Sequence, residues 1–288
     1  MTFVQRDIDV TFKLGEGAFG DSGSSEVTLS GLRVIARIVK AGGPSMGTAL
    51  LQVYGMTLDK MNQLSTLGLM PTLIRRNVVT VTAGDKTDGM GTVFVGTITN
   101  AWGDFRGAPE VPFIVEAHTG LIEAVAPATP SSYAGAAKVD VIMSSLATKM
   151  GLSFENSGVD SVLASPYFSG SYRDQAYAAA KAAGCEIIID NGKLAIWKRG
   201  GARGDAAVAV QPPLLDGYPS YTSKGISVRT LFIPSLTYGG KIKVTSDLTP
   251  ANGEWIVFSL DLDLESQNPG GRWHATMGAA RPGLVVIR

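Results

Sequence analysis

The stretch Lys13–Ser25, KLGEGAFGDSGSS, separates two folds. Gly15, Gly17 and Gly20 spell G-x-G-x-x-G, the spacing of loops that cradle phosphates where a strand runs into a helix. The flanks point elsewhere. DIDVTFKL (Asp7–Leu14) alternates, with Ile8, Val10, Phe12 and Leu14 on one side, and VTLSGLRVIARIVK (Val27–Lys40) is again rich in β-formers. A nucleotide-binding βαβ unit needs a helix after the loop, and none is signalled. The stretch is therefore read as the loop of a long β-hairpin that binds no nucleotide. Its glycines supply unusual backbone angles and its serines polarity.

Outward from that hairpin the chain divides into three. Residues 1–125 hold further short strands, VVTVTAG, GTVFVGTIT and PFIVEAHTG, broken by one helix, TLDKMNQLSTLG, with Thr57 as N-cap and Leu58, Met61 and Leu64 at helical spacing. Residues 126–200 change period. Val139, Ile142, Met143, Leu146 and Met150 form one helical stripe stopped by Gly151. A second helix runs from an N-cap at Ser171, with Asp174 three residues on, to Gly184. EIIIDNGKLAIWK is then a hairpin whose Asn191-Gly192 fits a type I′ turn. Residues 201–288 return to strands: GISVRTLFI, KIKVTSD, EWIVFSLDLDLES and RWHATMGA. The pattern predicts a mainly β (α+β) protein, with two small β-barrel domains flanking a small α/β insert of two helices and a hairpin.

Composition narrows the function classes. Charged residues are 17% of the 288, with 25 basic and 25 acidic side chains, against roughly 25% charged in ordinary soluble domains. So sparse and balanced a surface suits a subunit enclosed by neighbours and disfavours a dedicated nucleic-acid binder, which needs a net basic face. Cys185 is the only cysteine, so no internal disulfide forms, and its place before EIIID reads as small and buried. The N-terminus carries no basic-then-apolar leader pattern, and no apolar run reaches the ~18 residues of a membrane span. The expectation is a soluble protein made in the cytoplasm.

Candidate chemistry is thin. Lys40 lies where a protein kinase keeps its phosphate-pairing lysine. Neither His118 nor His274 precedes Arg-Asp, however, and Asp104-Phe105 is followed by arginine where a kinase has glycine. Asp261, Asp263 and Glu265 share a strand face and could serve a wall-cleaving acid pair; the plainer reading is a solvated face alternating with Leu260, Leu262 and Leu264. Asp85 and Asp88 lack the regular spacing of a calcium loop. Trp102, Tyr167, Trp197 and Trp273 could form sugar platforms or pack in cores. The sequence thus assigns no catalytic, cofactor or metal residues and no enzymatic activity. Its alternatives to a structural role are a carbohydrate- or cell-wall-binding module and, behind that, a hydrolase.

Read in order, several segments resemble the central hub proteins of contractile phage-tail baseplates, a family similar to the hub part of type VI secretion spike proteins. They are TLSGLRVIARI, GTALLQVYGMTLDKMNQLSTLG, VVTVTAGDKTDGMGTVFVGTITNAWGDFRGAPEVPFIVEAHTG, LLDGYPSYTSKGISVRTLFIPSLTYGGKIKVTSD and GEWIVFSLDLDLESQNPGGRWHATM. Asp85 departs from the family, standing where an aromatic is usual after Ala-Gly. The resemblance implies a homo-trimer in the virion's tail baseplate, each chain giving two tube-like domains, 1–125 and 201–288, to a ring. That ring would look six-fold to the tail tube or distal tail protein and three-fold to the spike, with tape-measure or other baseplate proteins as further neighbours. DNA would meet it only in transit through the lumen. The loop is then expected to reach a neighbouring subunit through Gly15, Glu16, Phe19 and Asp21.

Overall fold

A computed structural model describes residues 5–19, 23–66, 76–85 and 89–284; Asp21 and Asp88 lie outside them. The first region comprises β1 (Arg6–Lys13), β2 (Glu26–Leu29), β3 (Val34–Lys40), β4 (Thr48–Tyr54), α1 (Leu58–Leu64), β5 (Val78–Asp85), β6 (Gly89–Gly103), β7 (Pro112–His118) and α2 (Leu121–Val125). The middle region holds β8 (Ser131–Ser132), β9 (Ala136–Lys138), α3 (Val139–Met150), β10 (Ser153–Ser157), β11 (Val162–Ala164), β12 (Tyr167–Phe168), α4 (Tyr172–Ala183), β13 (Cys185–Asp190) and β14 (Lys193–Lys198). The last contains β15 (Ala207–Val210), β16 (Ser220–Thr222), β17 (Gly225–Leu231), β18 (Lys241–Val244), β19 (Gly253–Glu265) and β20 (Trp273–Ala280).

The protein is mainly β. The two outer regions share one 13-stranded sheet, ordered β16-β17-β20-β19-β3-β4-β7-β6-β5-β1-β2, with β18 joined to β19 and β15 to β18. The junction is the antiparallel β3–β19 ladder, where Ala36 faces Leu264 and Ile38 faces Leu262. Beneath it a single apolar cluster runs from Ile8 to Ala279 and takes side chains from both outer regions. Among the described residues the sheet path ends at β16 and β2 without closing on itself. Among the described residues no set of strands closes into either of the two barrels expected from the sequence; strand periodicity reports which face of a strand is buried, never which strand lies beside it.

Alternation in β1 is realised as read: Ile8, Val10 and Phe12 are fully buried, against Ala83, Val81 and Val79 of β5. β6 and β19 do the long-range shaping. β6 pairs with β5 over its first part and with β7 over its second, with a register shift between Ile98 and Asn100. β19 pairs with β18 at its start and with β3 at its end, shifting between Val257 and Ser259 against β20. Such irregularities bend a strand and let a many-stranded sheet curl.

The α/β module has a core of its own, built from Val139, Ile142, Met143, Leu146, Ala176, Ala180, Ile187, Leu194 and Ile196 among others. α4 begins with a reciprocal capping box between Ser171 and Asp174, and Gly184 closes it in the left-handed conformation, as Gly151 closes α3. Asn191 and Gly192 both take positive φ, 50° and 73°, as a type I′ turn requires. α1 departs from its expected stripe: Met61 and Leu64 are buried, but Leu58 is 59% exposed. Leu58 is the first residue of the helix. Thr57 holds the N-cap position without a side-chain cap bond.

Candidate assembly site

The Lys13–Ser25 stretch is a hairpin loop. β1 and β2 pair antiparallel with Lys13 opposite Glu26, and the Leu14 amide donates to the Ser25 carbonyl at 2.8 Å. Further out, the Phe19 amide donates to the Ser24 carbonyl (2.8 Å) and the Gly15 amide to Asn77 Oδ1 (3.0 Å). Of the residues expected to contact a neighbour, Gly15 and Glu16 are exposed, whereas Phe19 is turned into the large core. Lys40 is remote from any phosphate-binding role: its ammonium is buried against Asp190 at 2.6 Å.

Two places on the sheet offer backbone or side chains outward. The first is the two strands that end its main path, with the branch strand β15 as a further singly paired strand. β16 is exposed along its whole length, carries Tyr221 beside the equally exposed Tyr218, and joins β17 through the two-residue turn Ser223–Lys224. β2, at the other end, exposes Glu26 and Thr28. A terminal strand leaves one row of amides and carbonyls without a ladder partner, which invites pairing with another chain. Tyr218 and Tyr221 lie in the LLDGYPSYTSKG segment that carries the resemblance, but nothing in the sequence marks β16 or β2 as an end of the sheet.

The second is the solvent-side face of the sheet. Cross-strand register lines up Leu231, His274, Asp263, Arg37, Leu50, Glu116 and Asn100 across seven strands. Charge alternates along this row. Asp263 stands between Arg272 (3.3 Å) and Arg37 (3.9 Å), Asp216 takes Arg229 at 3.0 Å and lies 3.6 Å from His274 Nδ1, and Asn100 donates to Glu116 at 2.8 Å. Burial, and then the Arg229 charge, pull the His274 imidazole below its ordinary value. Burial pushes the Asp261 carboxyl up.

The other sequence candidates separate on inspection. Asp261, Asp263 and Glu265 do share a face, and Leu260, Leu262 and Leu264 are buried behind them. Glu265 is itself buried, taking Arg33 at 3.3 Å and Asn268 at 2.7 Å, so two of the three carboxylates are engaged by basic or amide partners. Trp197 and Trp273 are core residues, the latter edge-on to Phe232 at 5.5 Å. Trp102 and Tyr167 are exposed, but on β6 of the large sheet and β12 of the module. Among the described residues no three His, Cys, Asp or Glu side chains gather as a metal set, and no helix is long and apolar enough to cross a membrane.

Cys185 opens β13, buried, with its thiol pushed up to about 11 chiefly by that burial. Thiolate is the reactive species. The folded protein is therefore expected to resist a colorimetric disulfide reagent at pH 8 and to release one equivalent of chromophore only after denaturation. Rapid stoichiometric labelling of the native chain would show the site to be open.

Three solved structures share this fold. The 43 kDa tail protein of prophage MuSo2 from Shewanella oneidensis is 11% identical, with 95% of this chain and 97% of that one covered and a TM-score of 0.59. A tail protein from Neisseria meningitidis MC58 is 8% identical, covers 96% and 97%, and gives 0.63. The E. coli c3393 protein, a type VI secretion component with structural similarity to T4 tail proteins gp27 and gp5, is 11% identical, covers 86% and 73%, and gives 0.54. Among curated proteins none matches in sequence. Residues 8–276, which take in both outer β regions and the module, match the family described as Baseplate hub gp41, and the chain belongs to that family.

Proposed function

We propose that this protein is a non-enzymatic structural subunit of a phage tail baseplate. It acts as a homo-trimeric hub that joins the tail tube or distal tail protein to the spike and encloses the path taken by DNA. The observation that carries the reading is the family match over residues 8–276 in a chain whose main sheet path, among the described residues, ends at the open edges of β16 and β2. A ring of identical subunits is one way to remove such edges, each chain's β16 end meeting the next chain's β2 end. In that ring the outer regions 1–125 and 201–288 act as two tube-like domains, each completed by a neighbour. Gly15 and Glu16 reach that neighbour from the exposed loop, with Asp21 beside them in sequence, while Phe19 anchors the loop from inside. Alternating charge on the solvent-side face suits a wall along which DNA must slide, since tight phosphate neutralisation would hold it.

Light scattering on the purified protein should give the mass of three chains, and negative-stain images a three-fold ring with a central hole. A stable monomer that never joins tails when supplied to a hub-deficient lysate would overturn the reading.

A further inference from the structure

The α/β module meets the large sheet across a seam that combines a small apolar cluster with hydrogen bonds and a buried ion pair. Its apolar part is a small cluster, Ile188, Ala195 and Trp197 of the module with Tyr238 of the last region; Trp197 and Tyr238 meet edge-on at 6.3 Å. Tyr238 also lies against Gly42, where a Cβ would collide with its ring. The rest is polar. Lys40 of β3 reaches Asp190 at 2.6 Å and Asn191 Oδ1 at 3.1 Å, and Asn191 donates in turn to the Thr92 carbonyl of β6 at 2.9 Å. Arg203 contacts Asp190 at 3.7 Å and binds both Glu155 oxygens, at 2.7 and 3.0 Å. Lys40, Asp190 and the Arg203 side chain are all at least nine-tenths buried. Burial holds the Lys40 ammonium below its ordinary value against the pull of Asp190.

These four ions come from three parts of the chain: β3, the module and the segment after it. That segment, residues 200–204 (GGARG), has Gly200 and Gly204 at positive φ of 71° and 77°. The module's other junction, residues 126–130, is the proline-bearing APATP. A unit with its own core, thin apolar contact and such junctions is fastened by its charges.

We propose that the buried Lys40, Asp190 and Arg203, with the half-buried Glu155 at their rim, form an ionic clasp that latches an independently folded module onto the hub sheet. The clasp sets the module's seat, and opening it releases the module without unfolding either core. Apolar packing would tolerate small shifts of the module. A buried charge has no such latitude, because losing its partner leaves it unpaired in a low dielectric.

Hydrogen exchange on the whole chain tests this. In Lys40→Met, amides at 41–43 and 187–191 should exchange about 100-fold faster, and protease should cut at 200–206, while α3, α4 and the β3–β19 ladder stay protected. The double variant Lys40→Met/Asp190→Leu removes the whole Lys40–Asp190 pair, leaves Arg203 on Glu155, and should return seam exchange to within about two-fold of wild type, as apolar replacement of a whole buried pair allows. Unchanged seam exchange in Lys40→Met would overturn the clasp. So would simultaneous loss of protection in seam, module and sheet, which would make them one cooperative body. Should Lys40→Met fail to fold, wild-type exchange in rising urea gives the same decision: seam first supports the latch, and all together refutes it.

Discussion

Leu264→Ala is expected to destabilise both outer regions together, by about 2–5 kcal/mol, in one unfolding transition. Leu264 is fully buried in β19, opposite Ala36 of β3 on one side and Trp273 of β20 on the other. Its side chain fills the joint between the first and last regions. Truncation there loses the transfer energy of the buried methyls and leaves a cavity that two rigid ladders can only partly collapse. Because the β3–β19 ladder and the shared apolar cluster tie residues 6–118 to residues 207–280, the loss should not stay local. Urea unfolding followed by tryptophan fluorescence, with exchange read on β1 and β20 separately, should show both moving to lower denaturant in step. A biphasic curve, in which only the last region moves, would mean that 1–125 and 201–288 fold as independent domains.

Phe113→Ala should cost about 3–5 kcal/mol, the usual range for emptying a buried aromatic site. Phe113 in β7 is fully buried and meets Phe12 of β1 edge-on, with centroids 6.5 Å apart and planes at 80°. That contact spans the core between strands that are not neighbours in the sheet, so it holds the curled sheet against opening. The geometry adds about 0.5–1.5 kcal/mol beyond area burial. Phe12→Ala should therefore show coupling with Phe113→Ala in a double-mutant cycle: once either ring is gone, removing the other costs less. If the proposed ring needs a rigid sheet, Phe113→Ala also yields less assembled hub at temperatures where wild type assembles. A shift below about 1 kcal/mol would show that the core repacks freely around the vacancy.

How far the chain could be read depended on the range of each interaction. β1, α3, α4 and the Asn191-Gly192 turn were legible because their signals are local: alternation, helical spacing, a capping box and two residues suited to positive φ. β10, with the polar sequence SFENS, carries no such signal; it is a strand because it lies parallel to β14. The clasp was illegible for the same reason, since Lys40 and Asp190 are 150 residues apart. The lysine that suggested a phosphate partner is instead held by an aspartate at the end of a distant hairpin.

By itself the sequence determined that the Gly15–Gly20 loop is a turn between strands, that the chain is β, then α/β, then β, and that its ordered segments resemble baseplate hubs. It could do so because period, turn chemistry and segment order are written in neighbouring residues. Only the tertiary structure decided that the outer regions share one sheet, that Phe19 faces inward, that β2 and β16 end its main path, and that Lys40, Asp190 and Arg203 are buried together beside the module. Those outcomes depend on which strands lie side by side and which charges lose water together, and both are settled by contacts between residues far apart in the chain.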